Sequence, residues 1–392
     1  MSGSPEFHRY KKQHPELGTD PIPVYPYASA DFFAQEKTKV FRRSWLNVGR
    51  VAQIASKGDF FVKDVAVCDT QALITHGQDG KIRAFHNVCR HRGTTLVWEE
   101  SGCKNVFVCK FHGWSYDTTG CLRNITDEEN FNKLDKNKLG LVEIACDVWA
   151  GFIFICLEPE ESLQEYLGAF GERLSAYPFD KLSHRGSYTM DERVNWKVLL
   201  DAQQEGYHVP HLHKQSFSST FFKQGAPAFR TKSFKTYGNH RVLSVGSLDG
   251  VEPTPTAAEV GKFGVNAMDG SYRGRFGEAD VIDGVLDFCV IFPNFVLGLM
   301  NGSYFTYNIW PIAEDRTVWD VDLCYPEPEK PSEIFCNEYA KCAFRDALLE
   351  DGSTHERVQI GLMSGAIDTI NFQDEEIAAR HGVEVVLDMV GT

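Results

Sequence analysis

Two short loops of this chain carry the donor atoms of a metal centre. Cys89-Arg90-His91 is followed, after 17 residues, by Cys109-Lys110-Phe111-His112-Gly113-Trp114, so each loop supplies one thiol and one imidazole. A lone Cys or His is most often a packed or solvated side chain. Two matched pairs, each at the end of a predicted strand, argue against that bland reading. Zinc accepts two Cys and two His, but its loops usually run Cys-x-x-Cys and then His-x₃₋₅-His. Mixed pairs suit a 2Fe–2S centre with thiolates on one iron and imidazoles on the other. Imidazole in place of thiolate removes negative charge and raises the reduction potential, which makes an electron acceptor and store.

A second group lies further on. Asn195-Trp196-Lys197 leads into Asp201-Ala-Gln-Gln-Glu205-Gly-Tyr207-His208-Val-Pro210-His211-Leu212-His213. Geometry alone does not choose among the three histidines. His208 and His211 share a helix face, whereas His208 and His213 stand about 140° apart and converge only if the helix opens near Pro210. Glu205-x-x-His208 is half of a di-iron bundle motif, but the sequence has no second copy. Besides Asp201 and Glu205 in the run itself, the acidic stretch containing Asp346, Glu350, Asp351 and Glu356 offers four more carboxylates.

The elements that must position these residues follow from the pattern around them. Residues up to about 39 are rich in Pro, Tyr and His and read as an arm. From about 40 to 160 come short β segments: Ala72–His76 and Lys81–Phe85 around the hairpin signal Gly77-Gln-Asp-Gly80, then Val106–Cys109, Ser115–Leu122 bent at Thr119-Gly120, and Val148–Ile155 as one buried strand. Helical spacing is expected at Ser162–Ala176 and at Trp196–Tyr207. Strands return over Arg241–Val245, Val281–Phe292, Phe295–Met300, Tyr304–Trp310 and Thr317–Tyr325. Ser332–Ser364 reads as the longest helix, broken at Gly352. The fold class is α+β: a small all-β module, then a larger antiparallel sheet with helices.

Composition removes several function classes. The chain has 392 residues and a net charge of −14, which disfavours a general nucleic-acid binder. From Asp346 to Thr392 ten residues are acidic and two basic, so more than half of the deficit lies there. The longest apolar runs, Val148–Leu157 and Cys289–Met300, are too short to span a membrane. Eleven cysteines, an odd and sparse set, suit thiols and metal ligands in a reducing cytoplasm. The opening Met1–Phe7 reads as a linker and not as a targeting peptide.

The first pair of loops resembles the Rieske motif, with Arg92-Gly93 after one pair and Gly113-Trp114 after the other; the departure is Lys110, where small residues or Pro are frequent. The second run is similar to the catalytic segment of Rieske non-haem iron ring-hydroxylating oxygenases. The resemblance covers nearly the whole chain in order and implies the terminal oxygenase α subunit. It implies Cys89, His91, Cys109 and His112 as 2Fe–2S ligands, and His208, His213 and Asp351 as ligands of a mononuclear Fe(II), with His211 either a bystander or a partner behind a ligand. It also implies three parts: an arm over 1–39, a Rieske domain over 40–160, and a helix-grip (START-like) catalytic domain over 161–392. Glu205, where many relatives carry Asp, is implied to bridge an iron-bound His to a cluster His of the neighbouring subunit. Electrons would come from NADH through a ferredoxin or flavin reductase, and the assembly would be a head-to-tail homotrimer or an α3β3 complex with a small β subunit.

The implied reaction is hydroxylation of an aromatic or alicyclic molecule by dioxygenation, monooxygenation or demethylation, as in aromatic hydrocarbon catabolism. Phe288, Phe292, Phe295 and Met300, with Phe217, Phe221 and Phe222, are either a cavity lining or core. Glu205 motivates oxidation of a quaternary ammonium compound as an alternative. Two other classes remain: a Rieske electron carrier without oxygenase activity, and a structural zinc protein.

Overall fold

A computed structural model of the chain describes residues 9–175, 177–216, 229–247, 252–262, 285–300 and 302–391. Phe217, Phe221, Phe222 and the opening linker lie outside the described residues. The chain divides into two compact units, Lys37–Tyr166 and Met1–Glu36 with Leu167–Thr392. Among the described residues no helix is long and apolar enough to cross a membrane.

The unit Lys37–Tyr166 is built on a seven-stranded antiparallel sheet. Its strands run Leu46–Arg50, Phe152–Cys156, Glu143–Trp149, Ile82–His86, Thr70–His76, Asp59–Val65 and Ser101–Cys103. A three-stranded sheet, Val106–Val108, Ser115–Asp117 and Leu122–Asn124, completes it. The expected hairpin joins Thr70–His76 to Ile82–His86. The expected single strand Val148–Ile155 does not form. Ala150 and Gly151 have φ of 49° and 80°, so the chain reverses there and Trp149 pairs with Phe152. Positive φ at both central residues is the geometry of a tight hairpin, and an apolar run conceals it because hydrophobicity carries no information on the sign of φ.

In the other unit seven antiparallel strands run His184–Glu192, Arg316–Tyr325, Tyr304–Ala313, Phe295–Leu299, Val285–Ile291, His240–Ser247 and Phe229–Tyr237. Along Arg316–Tyr325 burial alternates: Thr317, Trp319, Val321 and Leu323 are buried while Val318, Asp320 and Asp322 are less so. One face therefore meets a core. The helix Pro331–Met363, 33 residues long, lies against the sheet. Phe344 packs on Phe305 with ring centroids 4.8 Å apart, and Tyr188 Oη donates to Lys341 O at 3.3 Å. This helix is continuous, so the expected break at Gly352 is absent. Gly352 serves close packing instead: a Cβ there would stand 3.0 Å from Met190 Cε and 3.3 Å from the Glu192 carboxyl.

The leading segment folds with this second unit. Tyr10 Oη donates to Thr231 O at 2.9 Å, and Tyr27 Oη to Asp201 Oδ2 at 2.6 Å. Glu36, fully buried, accepts from Lys197 Nζ at 2.6 Å and from Trp196 Nε1 at 3.3 Å. The Trp196-Lys197 pair is thus anchored by a residue 160 positions earlier. Burial pushes Glu36 up and Lys197 down, and the ion pair opposes both shifts. Removing one partner of such a pair leaves the other charge buried, at a cost of about 3–5 kcal/mol. Lys197→Met is expected to destabilise this unit by about that much in urea unfolding, with most of it recovered in a Glu36→Leu/Lys197→Met double variant.

Candidate metal centres

The two Cys/His loops are built alike. In the first, Cys89 N donates to Thr94 O at 2.8 Å and Gly93 N to Cys89 O at 3.1 Å; in the second, Cys109 N donates to Trp114 O at 2.8 Å and Gly113 N to Cys109 O at 2.9 Å. Gly93 and Gly113 have φ of 76° and 75°, a left-handed conformation that side chains resist. At Gly113 a Cβ would also stand 2.7 Å from Thr126 Oγ1.

Each loop therefore turns its imidazole toward the other. His91 Nδ1 and His112 Nδ1 lie 3.1 Å apart, and His91 stacks on Trp114. Two donors on one tetrahedral ion, at bonds of about 2.1 Å, would stand about 3.4 Å apart, so this pair is spaced for a single metal. Cys89 and Cys109 are buried in one core with Phe107, Trp114 and Tyr116. Burial raises the Cys89 thiol pKa; Tyr116 and the His91 backbone oppose it, and the Cys109 thiol adds to it. Tyr116 Oη lies 3.5 Å from Cys89 Sγ and accepts from Arg90 N at 3.0 Å. Burial, with His112 and Arg92 nearby, lowers the pKa of His91. The Lys110 ammonium sits over the Trp98 ring at 4.7 Å and pairs with Glu99 at 3.3 Å.

At the second centre the expected helix through Tyr207 does not form. Trp196–Ala202, capped by the Asn195 side chain on Lys197 N, ends early; the single turn Val209–Leu212 follows. Pro210 sits in the first turn, where no N–H is missed. His208 and His213 flank that turn, so the angular separation of one long helix does not arise. Their Nε2 atoms lie 3.1 Å apart. Asp351 Oδ1, from the long helix, lies 3.1 Å from His213 Nε2 and 3.6 Å from His208 Nε2.

These three atoms fit a metal ion. Donors on one face of an octahedral ion, at bonds of about 2.1 Å, stand about 3 Å apart. Asp351 is 6% exposed, and its Oδ1 is buried with no hydrogen-bond partner among the described residues. Its 3.1 Å approach to His213 is thus a charge contact. The other oxygen, Oδ2, accepts from Gln203 Nε2 at 3.2 Å. Burial pushes Asp351 up, but His213, with His208 and His355, outweighs it and holds the carboxyl below its usual range. Burial lowers His213, while Asp351 and Glu350 raise it and prevail.

Each imidazole is also held from behind. His208 Nδ1 meets Glu205 Oε1, and Glu205 Oε2 accepts from the backbone N–H groups of Tyr207 and His208. His213 Nδ1 meets Glu350 Oε2 at 2.8 Å. Glu350, weighed above only as an alternative to Asp351, thus stands on the opposite side of the His213 ring. Glu350 and Gln203 are the site residues that sequence reading missed; their signal was that Glu350 adjoins Asp351 and that Gln203 lies two residues before Glu205. His211 is exposed, Asp346 pairs with Arg345, and Glu356 accepts from Arg193 N. None of the three joins the donor atoms.

Aromatic rings flank the long helix. Phe305 contacts Phe344 and Tyr307, both at 4.8 Å, and Phe288 at 5.7 Å. Phe292 and Phe295 are fully buried, Phe292 against Trp196, and Met300 accepts from Tyr177 Oη through its carbonyl.

Residues 179–392, more than half of the chain, match the family described as ring hydroxylating alpha subunit (catalytic domain). The chain belongs to that family. Residues 44–138 of the chain match the family described as Rieske [2Fe-2S] domain. Its cofactors are accordingly a 2Fe–2S cluster and a mononuclear non-haem iron. It is 32% identical over 218 residues to choline monooxygenase of Spinacia oleracea, covering 53% of the chain and 48% of that enzyme. It is 29% identical over 337 residues to the large oxygenase component of the naphthalene 1,2-dioxygenase system of Pseudomonas aeruginosa, covering 79% and 71%. The structure of a quaternary ammonium Rieske monooxygenase has the same fold, with a TM-score of 0.74 at 22% identity over 96% and 97% of the two chains. The chain spans about half the length of the first of these curated relatives.

Proposed function

We propose that the chain is the terminal oxygenase component of a multicomponent Rieske oxygenase. It would receive electrons from NADH through a ferredoxin or flavin reductase and hydroxylate a small organic molecule with O₂. Cys89, His91, Cys109 and His112 hold the 2Fe–2S cluster; His208, His213 and Asp351 hold the iron. The observation that carries this reading is the triangle of Nε2, Nε2 and Oδ1 atoms at 3.1, 3.1 and 3.6 Å, with a carboxylate behind each imidazole. When bound, the iron supplies open positions for dioxygen and the cluster supplies an electron.

The chain's own residues prepare both sites. Glu205 accepts the His208 Nδ1–H, which leaves Nε2 as the lone-pair donor. Gln203 fixes Asp351 so that Oδ1 faces the histidines. Burial of His213 and Asp351 keeps water from competing for them. Tyr116 donates toward the Cys89 sulfur, and a hydrogen bond to a cluster sulfur stabilises the reduced state. Resemblance to the family supports a homotrimer, or an α3β3 complex, in which Glu205 reaches the cluster of the next subunit. Eleven cysteines, none of them in a disulfide among the described residues, support a cytoplasmic setting.

The apolar rings of Phe288, Phe305, Tyr307 and Phe344, on the sheet and helix that frame Asp351, support an aromatic or alicyclic substrate of the kind met in aromatic catabolism. Oxidation of a quaternary ammonium compound is the second reading, supported by Glu205 and by the likeness to choline monooxygenase. The test is oxygen consumption by the reduced protein against product formed, with peroxide measured alongside, across aromatic hydrocarbons and across choline-like amines. Product matched to oxygen in one class selects the substrate. Oxygen consumed only to peroxide with every compound, or zinc in place of iron, defeats the reading.

A further inference from the structure

Asp351 and Glu350 are consecutive on one helix, and successive helical residues point about 100° apart. The imidazole of His213 lies between them: Asp351 Oδ1 stands 3.1 Å from Nε2 and Glu350 Oε2 stands 2.8 Å from Nδ1. Glu350 is itself clamped. Ser216 Oγ donates to Oε2 at 2.5 Å and Ser216 N to Oε1 at 3.1 Å. The carboxylate therefore ties the segment that carries His213 to the helix that carries Asp351, and fixes the ring about its long axis. Glu205 performs the same service for His208 through a local contact, three residues away. Glu350 spans 137 positions and so joins two separately folded pieces of the site.

From this geometry we propose that Glu350 is a positioning residue. It presets His213, with Ser216 as its clamp, so that the two-histidine, one-carboxylate face exists before the metal arrives. The inference rests on the metal site proposed above and adds to it the residue that sets how tightly the metal is held. A glutamate is needed for reach, because the carboxylate must pass around the ring to its far nitrogen. It is needed as an acceptor more than as a charge, because what it fixes is the Nδ1–H direction.

The test uses the full chain with its oxidised cluster intact and its mononuclear iron removed by chelation. Cobalt(II) alone is the probe. Bound metal is measured by equilibrium dialysis, and its high-spin resonance is read against the diamagnetic oxidised cluster. Glu350→Ala is expected to weaken cobalt affinity about 10–100-fold and to broaden the resonance, the scale on which such outer partners act. Glu350→Gln, whose amide oxygen still accepts from Nδ1, should stay within a few-fold of wild type. Wild-type affinity in Glu350→Ala, or a loss in Glu350→Gln as large as in Glu350→Ala, overturns the proposal. Ser216→Ala, which removes one of the two clamp bonds, carries the same test if Glu350→Ala fails to fold: a loss of a few-fold supports the role and none defeats it. A wild-type chain that binds no cobalt overturns the metal site itself, an outcome distinct from equal binding by wild type and variant.

Discussion

His213→Ala keeps the red-brown cluster and loses the mononuclear iron. The expectation follows from where the ring sits. His213 is 3% exposed, and its Nε2 is 3.1 Å both from His208 Nε2 and from Asp351 Oδ1. Truncation leaves a site with one imidazole and one carboxylate, too few donors to retain Fe(II) against water. The cluster ligands belong to the other unit, so their absorption and their reduced-state resonance should persist. Product formation should fall by at least about 10³-fold, the scale seen when a member of a cooperating catalytic set is removed. Iron analysis would read two atoms per chain in place of three. His211→Ala, two positions away and exposed, should retain both iron and activity. Wild-type hydroxylation by His213→Ala would remove the iron assignment.

Glu205→Gln should do the reverse: both metals stay and useful turnover goes. The amide oxygen can still accept from His208 Nδ1, so the ring keeps its direction. What disappears is a carboxylate whose side chain is only 10% exposed and which gathers one imidazole and two backbone N–H groups. Its negative charge and its capacity to take a proton are then missing at the point through which the second electron is proposed to arrive. A general acid–base group contributes about 10²–10⁴-fold, and a loss of that order in product per oxygen consumed is expected. The rate of cluster reoxidation in a single turnover with substrate present separates this role from metal binding. Unchanged coupling would leave Glu205 with a structural duty only.

Much of the site was legible because its residues are local in sequence. The mixed Cys/His pairs and the Asn-Trp-Lys lead are short motifs; spacing alone left His208, His211 and His213 open, the family resemblance favoured His208 and His213, and the structure brings these two and Asp351 to one point. The strands and the long helix were readable from their periodicity, within a few residues. What was missed depends on the sign of φ or on partners far away. Ala150-Gly151 reverses the chain inside an apolar run. The strand His184–Glu192 alternates in burial, but its inward positions are Gly186, Tyr188, Met190 and Glu192, too few of them apolar to signal a strand, and the helix Ile377–Val390 went unread although it packs Ile377 and Ala378 against Tyr10 and Phe234. Gly352 suggested a helix break because glycine's propensity is low, whereas its use is to admit Met190 and Glu192. Glu350 faces a histidine 137 positions away, which no local pattern encodes.

The chain visits the iron-bearing unit first, departs at Lys37, and returns only after Tyr166. The unit that matches the Rieske [2Fe-2S] domain is therefore spliced into its host like a cassette, with host sequence on both sides. A fragment beginning at Leu167 would be deprived of Tyr10, Tyr27 and Glu36, and Lys197 would keep a buried ammonium without its main neutralising carboxylate. Exchange of such cassettes between relatives must cut twice, near Glu36 and near Tyr166, and leave the leading segment with the host that it completes.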